Sequence, residues 1–180
     1  MNYVSSPQAL IKKESFSWKR LKPLLVLFVI LQLLIPFRYL AYPGNLYWTE
    51  QGYRFSWRVM LMEKAGYTTF TVSDEMGNKT DWVNNRDYLT AQQEKMMSTQ
   101  PDMILQFAHH LRTVYAEKGY QNPIIRCQSR VTLNGTLSQP LVDPTVNLAT
   151  IDRDWNHKSW VLPFDPNFGK NGNTKQINYK

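Results

Sequence analysis

Cysteine is almost absent from this sequence, and its scarcity limits the covalent chemistry available to the chain. Among 180 residues there is one, Cys127, so no disulfide can form within the chain. Ile124 and Ile125 lie just before it. These apolar neighbours indicate a buried structural thiol rather than a reactive one.

Motifs for catalysis or metal binding are also lacking. The three histidines, His109, His110 and His157, show no ligand spacing with one another or with the cysteine, and the first two are expected on a solvated helix face. Asp143 and Asp165 each precede a proline and are typical turn residues. We therefore expect no catalytic residue and no metal site in this chain.

Positive charge is missing where a nucleic-acid-binding domain would need it. The formal net charge is +7, but residues 1–22 hold five basic residues and one acid, and residues 170–180 hold three lysines and no acid. The residues between them, 23–169, hold 13 basic and 13 acidic residues. A nucleic-acid module concentrates its positive charge on the folded domain, so we exclude that class. The basic N-terminal segment suits an anionic cytoplasmic membrane leaflet instead.

A long apolar run occurs once, from Leu24 to Ile35, and three interpretations of it are open. A membrane span needs about 20 mostly apolar residues; residues 21–42 supply that length, with Lys22 and Arg38 near the ends. A cleavable signal peptide would need small residues where Tyr-Leu-Ala stands at 39–41. A buried helix of a soluble domain is the third interpretation. We favour the membrane span.

The charge asymmetry around the run predicts a topology. Basic residues lie on its N-terminal side, so the positive-inside rule places Met1 in the cytoplasm. We expect a single-pass protein of the cell inner membrane with a periplasmic C-terminal domain. The expected segments are a basic lead-in at 1–20, a transmembrane helix at 21–42, an extracytoplasmic domain at 43–168 and a disordered tail at 169–180.

Hydrophobic periodicity predicts that the outer domain is α+β. Residues 53–62 alternate apolar and polar side chains, which is the pattern of a half-buried strand with Trp57 in the core. Residues 67–72 and 80–83 are predicted to pair with it as further strands.

Two helices and two more strands are predicted after that sheet. One helix is capped by Asp87 and runs to about Met97. The next is capped by Ser98 or Thr99, begins at Pro101, buries Phe107 and ends at Gly119. Strands at 124–133 and 136–142 follow, joined by an Asn-Gly hairpin turn at 134–135. The predicted order is ββ(β)-αα-ββ, an antiparallel sheet with two packed helices.

Aromatic residues cluster immediately after the apolar run. They are either a membrane-interface belt or a substrate-facing loop. The cluster consists of Phe37, Tyr39, Tyr42, Tyr47, Trp48 and Tyr53, with Arg38 among them. Further along, Arg54 and Arg58 project from the polar face of the predicted first strand, where pairing with Glu63 or Asp81 is the simpler expectation and an anionic ligand the alternative.

Four segments of the chain, in order, resemble the C-terminal part of the vitamin K-dependent gamma-carboxylase family, whose members are also called horizontally transferred transmembrane (HTTM) domain proteins. The resemblance is to bacterial members in particular. They are LQLLIPFRYLAYPGNLYWTEQGYRFSWRVMLMEKAGYTTF, DYLTAQQEKMMSTQPDMILQFAHHL, VTLNGTLSQPLVDPTVNL and KSWVLPF. The resemblance runs from about Leu21 to Phe164.

The resemblance implies a function and candidate site residues. Full-length members place a multi-pass membrane domain first, where reduced vitamin K is oxidised to give a base that deprotonates a peptide glutamate before carbon dioxide adds. The resemblance implies that none of that machinery, and no cofactor, is in this chain. It also implies a substrate near the span exit and a substrate-binding segment at KSWVLPF. The candidate substrate-binding residues are Arg38, Tyr39, Tyr42, Trp48 and Trp160.

Two hypotheses follow for the chain as a whole. In the first, the chain is the last span and outer domain of a carboxylase-like protein, and it is either truncated or one half of a split protein. It is then inactive alone and joins a multi-pass membrane partner. In the second, it is a single-span anchored binding module without catalytic activity. The expected partners are the membrane, that partner chain and a peptide substrate.

Overall fold

The computed structural model describes residues 18–58, 61–76 and 79–169. The chain divides into two compact units on either side of the Ile35–Pro36 bond. The predicted lead-in up to residue 17 and the predicted disordered tail from residue 170 lie outside the described residues.

The first unit contains one apolar helix. Helix α1, Trp18–Leu34, contains Pro23 and no acidic residue in its first turn. Its apolar side chains, from Leu24 to Leu34, are exposed on every side. A 3-10 helix, Ile35–Ala41, continues from it. Within the described residues, the segment Leu21–Ala41 is the one helix long and apolar enough to cross a membrane, by length and composition.

The second unit is built on a four-stranded antiparallel sheet, and the predicted α+β class is confirmed. The sheet order is β2-β1-β3-β4. The strands are β1 Lys64–Ser73, β2 Thr80–Val83, β3 Ile124–Leu133 and β4 Gln139–Pro140. The long central pair, β1 and β3, is in register along its whole length, with Phe70 opposite Cys127.

Helices pack on this sheet. They are α2 Leu46–Thr49, α3 Ala91–Met97 and α4 Pro101–Glu117. Helix α4 buries one face, because apolar residues recur every three or four positions along it. Phe107 from that face meets Phe70 of β1 edge-on, with ring centroids 5.1 Å apart. The prediction that Phe107 is a core residue is confirmed.

The predicted strand at 53–62 is wrong, and Trp57 is not a core residue. Residues 53–58 form consecutive turns, because the amide of Tyr53 donates to Glu50 and that of Ser56 donates to Tyr53. Phe55 (φ 65°) and Trp57 (φ 55°) adopt left-handed backbone conformations that a strand cannot contain. Burial does not follow the predicted alternation. Ser56 is buried, whereas Trp57 is 67% exposed.

The remaining elements differ from the predictions mainly at their ends. Helix α3 is capped by Thr90, with a reciprocal bond to Gln93, and not by Asp87. The N-cap of α4 is Gln100, without a side-chain bond, although Pro101 does open the helix as predicted. The turn at 134–135 has positive φ at both residues, as the predicted Asn-Gly hairpin requires. Strand β4 is only two residues long.

Candidate functional site

The largest described groove of the second unit lies next to the residues that follow the apolar run. Its volume is about 580 Å³. One wall comes from residues 38–54 and the other from residues 150–160, with Asp102 and Leu105 of α4 between them. We call it the exit groove. Among the candidate residues, Arg38, Tyr42 and Trp160 line it.

Arg38 is one of the cations of the exit groove. Its Nη2 donates to the backbone oxygen of Arg54, 3.0 Å away, and its guanidinium lies 5.5 Å from the ring centroid of Trp155. Its Nε is buried without a hydrogen-bond partner among the described residues. A buried donor of a charged group without a partner is costly, so this arginine is suited to receive an anion.

Unpaired positive charge extends beyond Arg38. No ion pair joins Arg38, Arg54 or Arg153 to a carboxylate among the residues that the structure describes. By contrast, the groove carboxylate Asp102 forms an ion pair with Lys158, and Asp154 accepts a hydrogen bond from the amide of Asn156. Asp152 also lines the groove without an ion pair among the described residues. The three arginines without ion pairs, rather than the net charge of the lining, therefore favour an acidic ligand.

Gln51 holds the two walls of the exit groove together. This buried side chain donates from Nε2 to the Asn156 oxygen, 2.9 Å away. Its Oε1 accepts from the amide of Lys158 at 3.2 Å and lies 2.9 Å from His157 Nδ1. Because an amide oxygen only accepts, His157 must carry a proton on Nδ1. In the neutral ring, the other nitrogen of His157, Nε2, is then a hydrogen-bond acceptor in a residue that lines the groove.

A buried ion pair anchors the first wall to the sheet. The ammonium of Lys64, at the start of β1, contacts Glu50 at 2.7 Å and the oxygen of Trp48 at 2.8 Å. A third bond of 3.2 Å reaches the oxygen of Thr99. Burial lowers the pKa of Lys64 below its ordinary value, and the nearby Glu50 carboxylate opposes that shift.

Trp48 and Trp160 are both buried. Trp48 is 0% exposed; its Nε1 donates to the Leu162 oxygen at 2.7 Å, and its ring lies 5.2 Å from that of Phe164. The oxygen of Trp160 accepts from the amide of Asp143. Trp48 thus fastens the KSWVLPF segment to the domain, and only Trp160 of the two lines the groove.

Tyr39 and the neighbouring Arg58 form a separate contact. The Arg58 guanidinium donates to the hydroxyls of Tyr39 at 2.9 Å and Tyr47 at 3.0 Å. These hydrogen bonds raise the pKa of Arg58 above its ordinary value. The expected pairing of Arg54 and Arg58 with Glu63 or Asp81 is wrong, because the strand that would have aligned them does not form.

Two other sequence expectations can be compared with the structure. Cys127 is buried as predicted, and burial raises the pKa of its thiol to about 12. His109 is not on a solvated face as expected. It is half-buried, and its Nε2 lies 2.8 Å from the Ile151 oxygen, so it ties α4 to the second wall. Sequence periodicity could not show this contact, because residues 150–160 form no regular element.

Comparison with known proteins identifies the family of this arrangement. The family model described as vitamin K-dependent gamma-carboxylase, lumenal domain, matches residues 18–167. The chain belongs to that family. No curated protein and no solved structure matches the chain. The resemblance inferred from the four sequence segments is therefore confirmed at the level of the carboxylase lumenal domain.

The exit groove does not fit the quinone that the carboxylase family uses. Reduced vitamin K is an apolar ring with an apolar tail, and its chemistry requires a pocket that excludes water. The exit groove is instead lined by charged side chains, and those of Asp152, Arg153 and Asp154 are exposed to solvent.

Proposed function

We propose that this chain is the extracytoplasmic, substrate-docking domain of a carboxylase-type membrane protein of the bacterial HTTM kind. It is anchored in the cell inner membrane by Leu21–Ala41, with the N-terminus in the cytoplasm and the domain in the periplasm. The family match over residues 18–167 and the apolar helix of spanning length support the anchor. The basic residues before the run support the orientation.

The exit groove is the proposed docking site for a glutamate-containing peptide. The observation that carries this proposal is the set of arginines without ion pairs, Arg38 and Arg54 above all, on the wall that directly follows the apolar run. An arginine binds a carboxylate through two parallel hydrogen bonds. Tyr42 and Trp160 supply aromatic surface beside the charge.

The carboxylation step itself is assigned to other membrane helices. A base that removes a proton from a glutamate side chain must form in a pocket without water, and the exit groove is open and polar. Reduced vitamin K, when bound, supplies the oxidisable group from which that base arises. This chain binds and orients the peptide, and a multi-pass part of the same system holds the quinone. The chain alone is then inactive.

Peptide titration of the whole chain in lipid nanodiscs tests the docking site. A peptide with several glutamates should bind, and the same peptide with glutamines should bind at least about tenfold more weakly, because a hydrogen bond to a charged group contributes about 1.5–3 kcal/mol. Arg54→Gln should remove most of that difference, since the Arg54 side chain is exposed and only its backbone supports Arg38.

Arg130→Gln is the matched control, because Arg130 is an exposed arginine of β3 outside the exit groove. It should leave the preference for glutamate intact. Equal affinity for the two peptides, or equal effects of the two substitutions, would refute the docking site.

The second candidate function is a single-span binding module without any carboxylase partner. The open, polar character of the exit groove favours it, since docking needs no chemistry. Co-purification in mild detergent separates the two. Recovery of a multi-pass membrane protein with this chain supports the carboxylase system, and recovery of the chain with peptide-binding activity but no such protein supports the module.

A further inference from the structure

Two bulky aromatic side chains project from a strained loop beside the end of the apolar run. The loop, residues 51–58, is called the exit loop. Phe55 is 75% exposed and Trp57 is 67% exposed. Both have left-handed backbone conformations, which residues with bulky side chains rarely adopt. Because the two rings lie on the same loop, beside the end of the apolar segment, they offer apolar surface to a second apolar phase.

Close packing places the exit loop against the last turn of the candidate span. Gly52 has φ +75° and lies so near Tyr39 that a Cβ atom on it would come within 2.7 Å of the Tyr39 Cα. Tyr39 belongs to the segment Leu21–Ala41. The loop is thus in direct backbone contact with the residues at which that segment ends, and only glycine permits the approach.

Two arginine contacts fix the loop in this position. Arg38 Nη2 donates to the Arg54 oxygen, and its guanidinium lies 6.0 Å from the ring centroid of Phe55. Arg58, at the other end of the loop, donates to the Tyr39 hydroxyl and lies 4.6 Å from the centre of that ring. The loop is thus bonded to residues 38 and 39 from its middle and from its C-terminal end, in addition to the bonds that Gln51 makes to residues 156–158.

The position of these residues corresponds to the membrane surface. Arg38 lies near the end of Leu21–Ala41, a segment whose length matches the about 20 residues of a membrane span. Arg38, Arg54 and Arg58 surround the exit loop, and none forms an ion pair with a described carboxylate. Aromatic rings flanked by unpaired arginines are the composition of segments that lie in an anionic headgroup layer.

We infer that the exit loop is a second membrane contact, in which Phe55 and Trp57 enter the lipid headgroup layer and Arg58, which does not line the exit groove, meets an anionic lipid phosphate. The inference rests on the anchor proposed above. It gives the strained loop a role, because lipid covers the two rings that the fold leaves exposed. It also holds the exit groove at the membrane surface, since Gln51, Gly52 and Arg54 belong to the exit loop and line the groove.

Spin labelling of the full chain tests the contact. The chain is placed in vesicles of phosphatidylcholine and phosphatidylglycerol, and nitroxide is attached to Phe55→Cys or Trp57→Cys. Cys127 is buried and does not compete for the label. Trp82→Cys is the matched control, because Trp82 lies on β2 and is exposed to a similar extent, 69%.

Labels at 55 and 57 should be relaxed more by oxygen than by a water-soluble nickel complex, and the label at 82 should show the reverse. If all three behave like the label at 82, the inference is overturned. As a second measurement that leaves the thiols untouched, brominated lipid should quench part of the tryptophan emission. Trp57→Phe should reduce the quenched part, whereas Trp82→Phe should not.

Carbonate extraction of the same vesicles separates this inference from the anchor. A chain that stays in the pellet with labels at 55 and 57 in water retains its anchor and lacks the second contact. A chain released to the supernatant has neither, which overturns both proposals.

Discussion

At the scale of single residues, the lone cysteine makes stability depend on pH. Cys127 lies at the centre of the β1–β3 pair, where burial raises the pKa of its thiol from 9.0 to about 12. The folded chain therefore keeps the thiol proton between these values, whereas the unfolded chain loses it. The contribution of this thiol to the free energy of unfolding is fully present below pH 9 and is lost as the pH rises towards 12.

Urea unfolding in detergent between pH 8 and 11 measures this effect. From about pH 9 upward, the free energy of unfolding should fall more steeply for the wild type than for Cys127→Ala, by up to about 1.4 kcal/mol per pH unit. Because every other titrating group is common to the two proteins, their difference isolates the thiol. Parallel curves would show that the thiol titrates alike in both states.

Among substitutions that remove one charged side chain, replacing Lys64 should lower the free energy of unfolding the most. Its ammonium is almost fully buried, and it bonds to Glu50 and to the oxygens of Trp48 and Thr99. Lys64→Met leaves the Glu50 carboxylate and two carbonyls without their partner, so the free energy of unfolding should fall by about 3–5 kcal/mol.

Lys95→Met is the control for that measurement, since Lys95 is exposed on α3, and its effect should stay within about 0.5 kcal/mol. Chemical unfolding of both variants gives the comparison. A loss as small for Lys64 as for Lys95 would contradict the role given to the buried pair.

At the scale of elements, Gln51 joins two segments that have no regular secondary structure of their own. Its side-chain amide contacts Asn156, His157 and Lys158. Gln51→Ala should free residues 151–158, because irregular segments have few backbone bonds to hold them. Hydrogen exchange should become faster in that segment by about tenfold or more, as expected for the loss of about 1–2 kcal/mol.

The sheet and Gln92→Ala provide the comparison for this variant, since Gln92 is exposed in α3. Exchange in β1 and β3 should not change in either protein, and Gln92→Ala should leave residues 151–158 as protected as in the wild type. Uniformly faster exchange across the domain would show that Gln51 supports the whole fold and not the groove wall alone.

Elements with strong local signals could be predicted from the sequence, and elements made by distant contacts could not. Helix α4, strand β3 and the hairpin turn at 134–135 follow from periodicity, a proline start and an Asn-Gly pair. The exit loop has the alternation of a strand, yet bonds from Arg38 and the close approach of Gly52 impose turns on it. Local sequence carries no sign of either contact.

The candidate site was predicted in part for the same reason. Arg38, Tyr42 and Trp160 meet at one groove because Trp48 fastens residues 158–164 beside residues 38–54 through Leu162. The aromatic cluster and the family resemblance pointed to both segments. Gln51 and Arg153 have no motif to mark them, and the sequence offers Arg54 to an anionic ligand only as part of a strand that does not form. The folded arrangement brings these three residues to the same groove.

At the scale of the whole molecule, the account joins a family, an apolar helix and a groove. The chain belongs to the carboxylase lumenal-domain family, and its exit groove begins at residues that follow the apolar run directly. The proposed function assigns a glutamate-containing peptide to that groove. Docking at that place is therefore the central claim.

Site-directed photocrosslinking measures it most directly. A photoreactive amino acid replaces Arg153, which is exposed and lines the exit groove, or Trp82, which is exposed on β2, in the full chain in nanodiscs. A labelled glutamate peptide should attach at position 153, excess unlabelled glutamate peptide should suppress the product, and the glutamine peptide should not. Equal attachment at positions 153 and 82, or a product at 153 that both peptides suppress alike, would contradict the account.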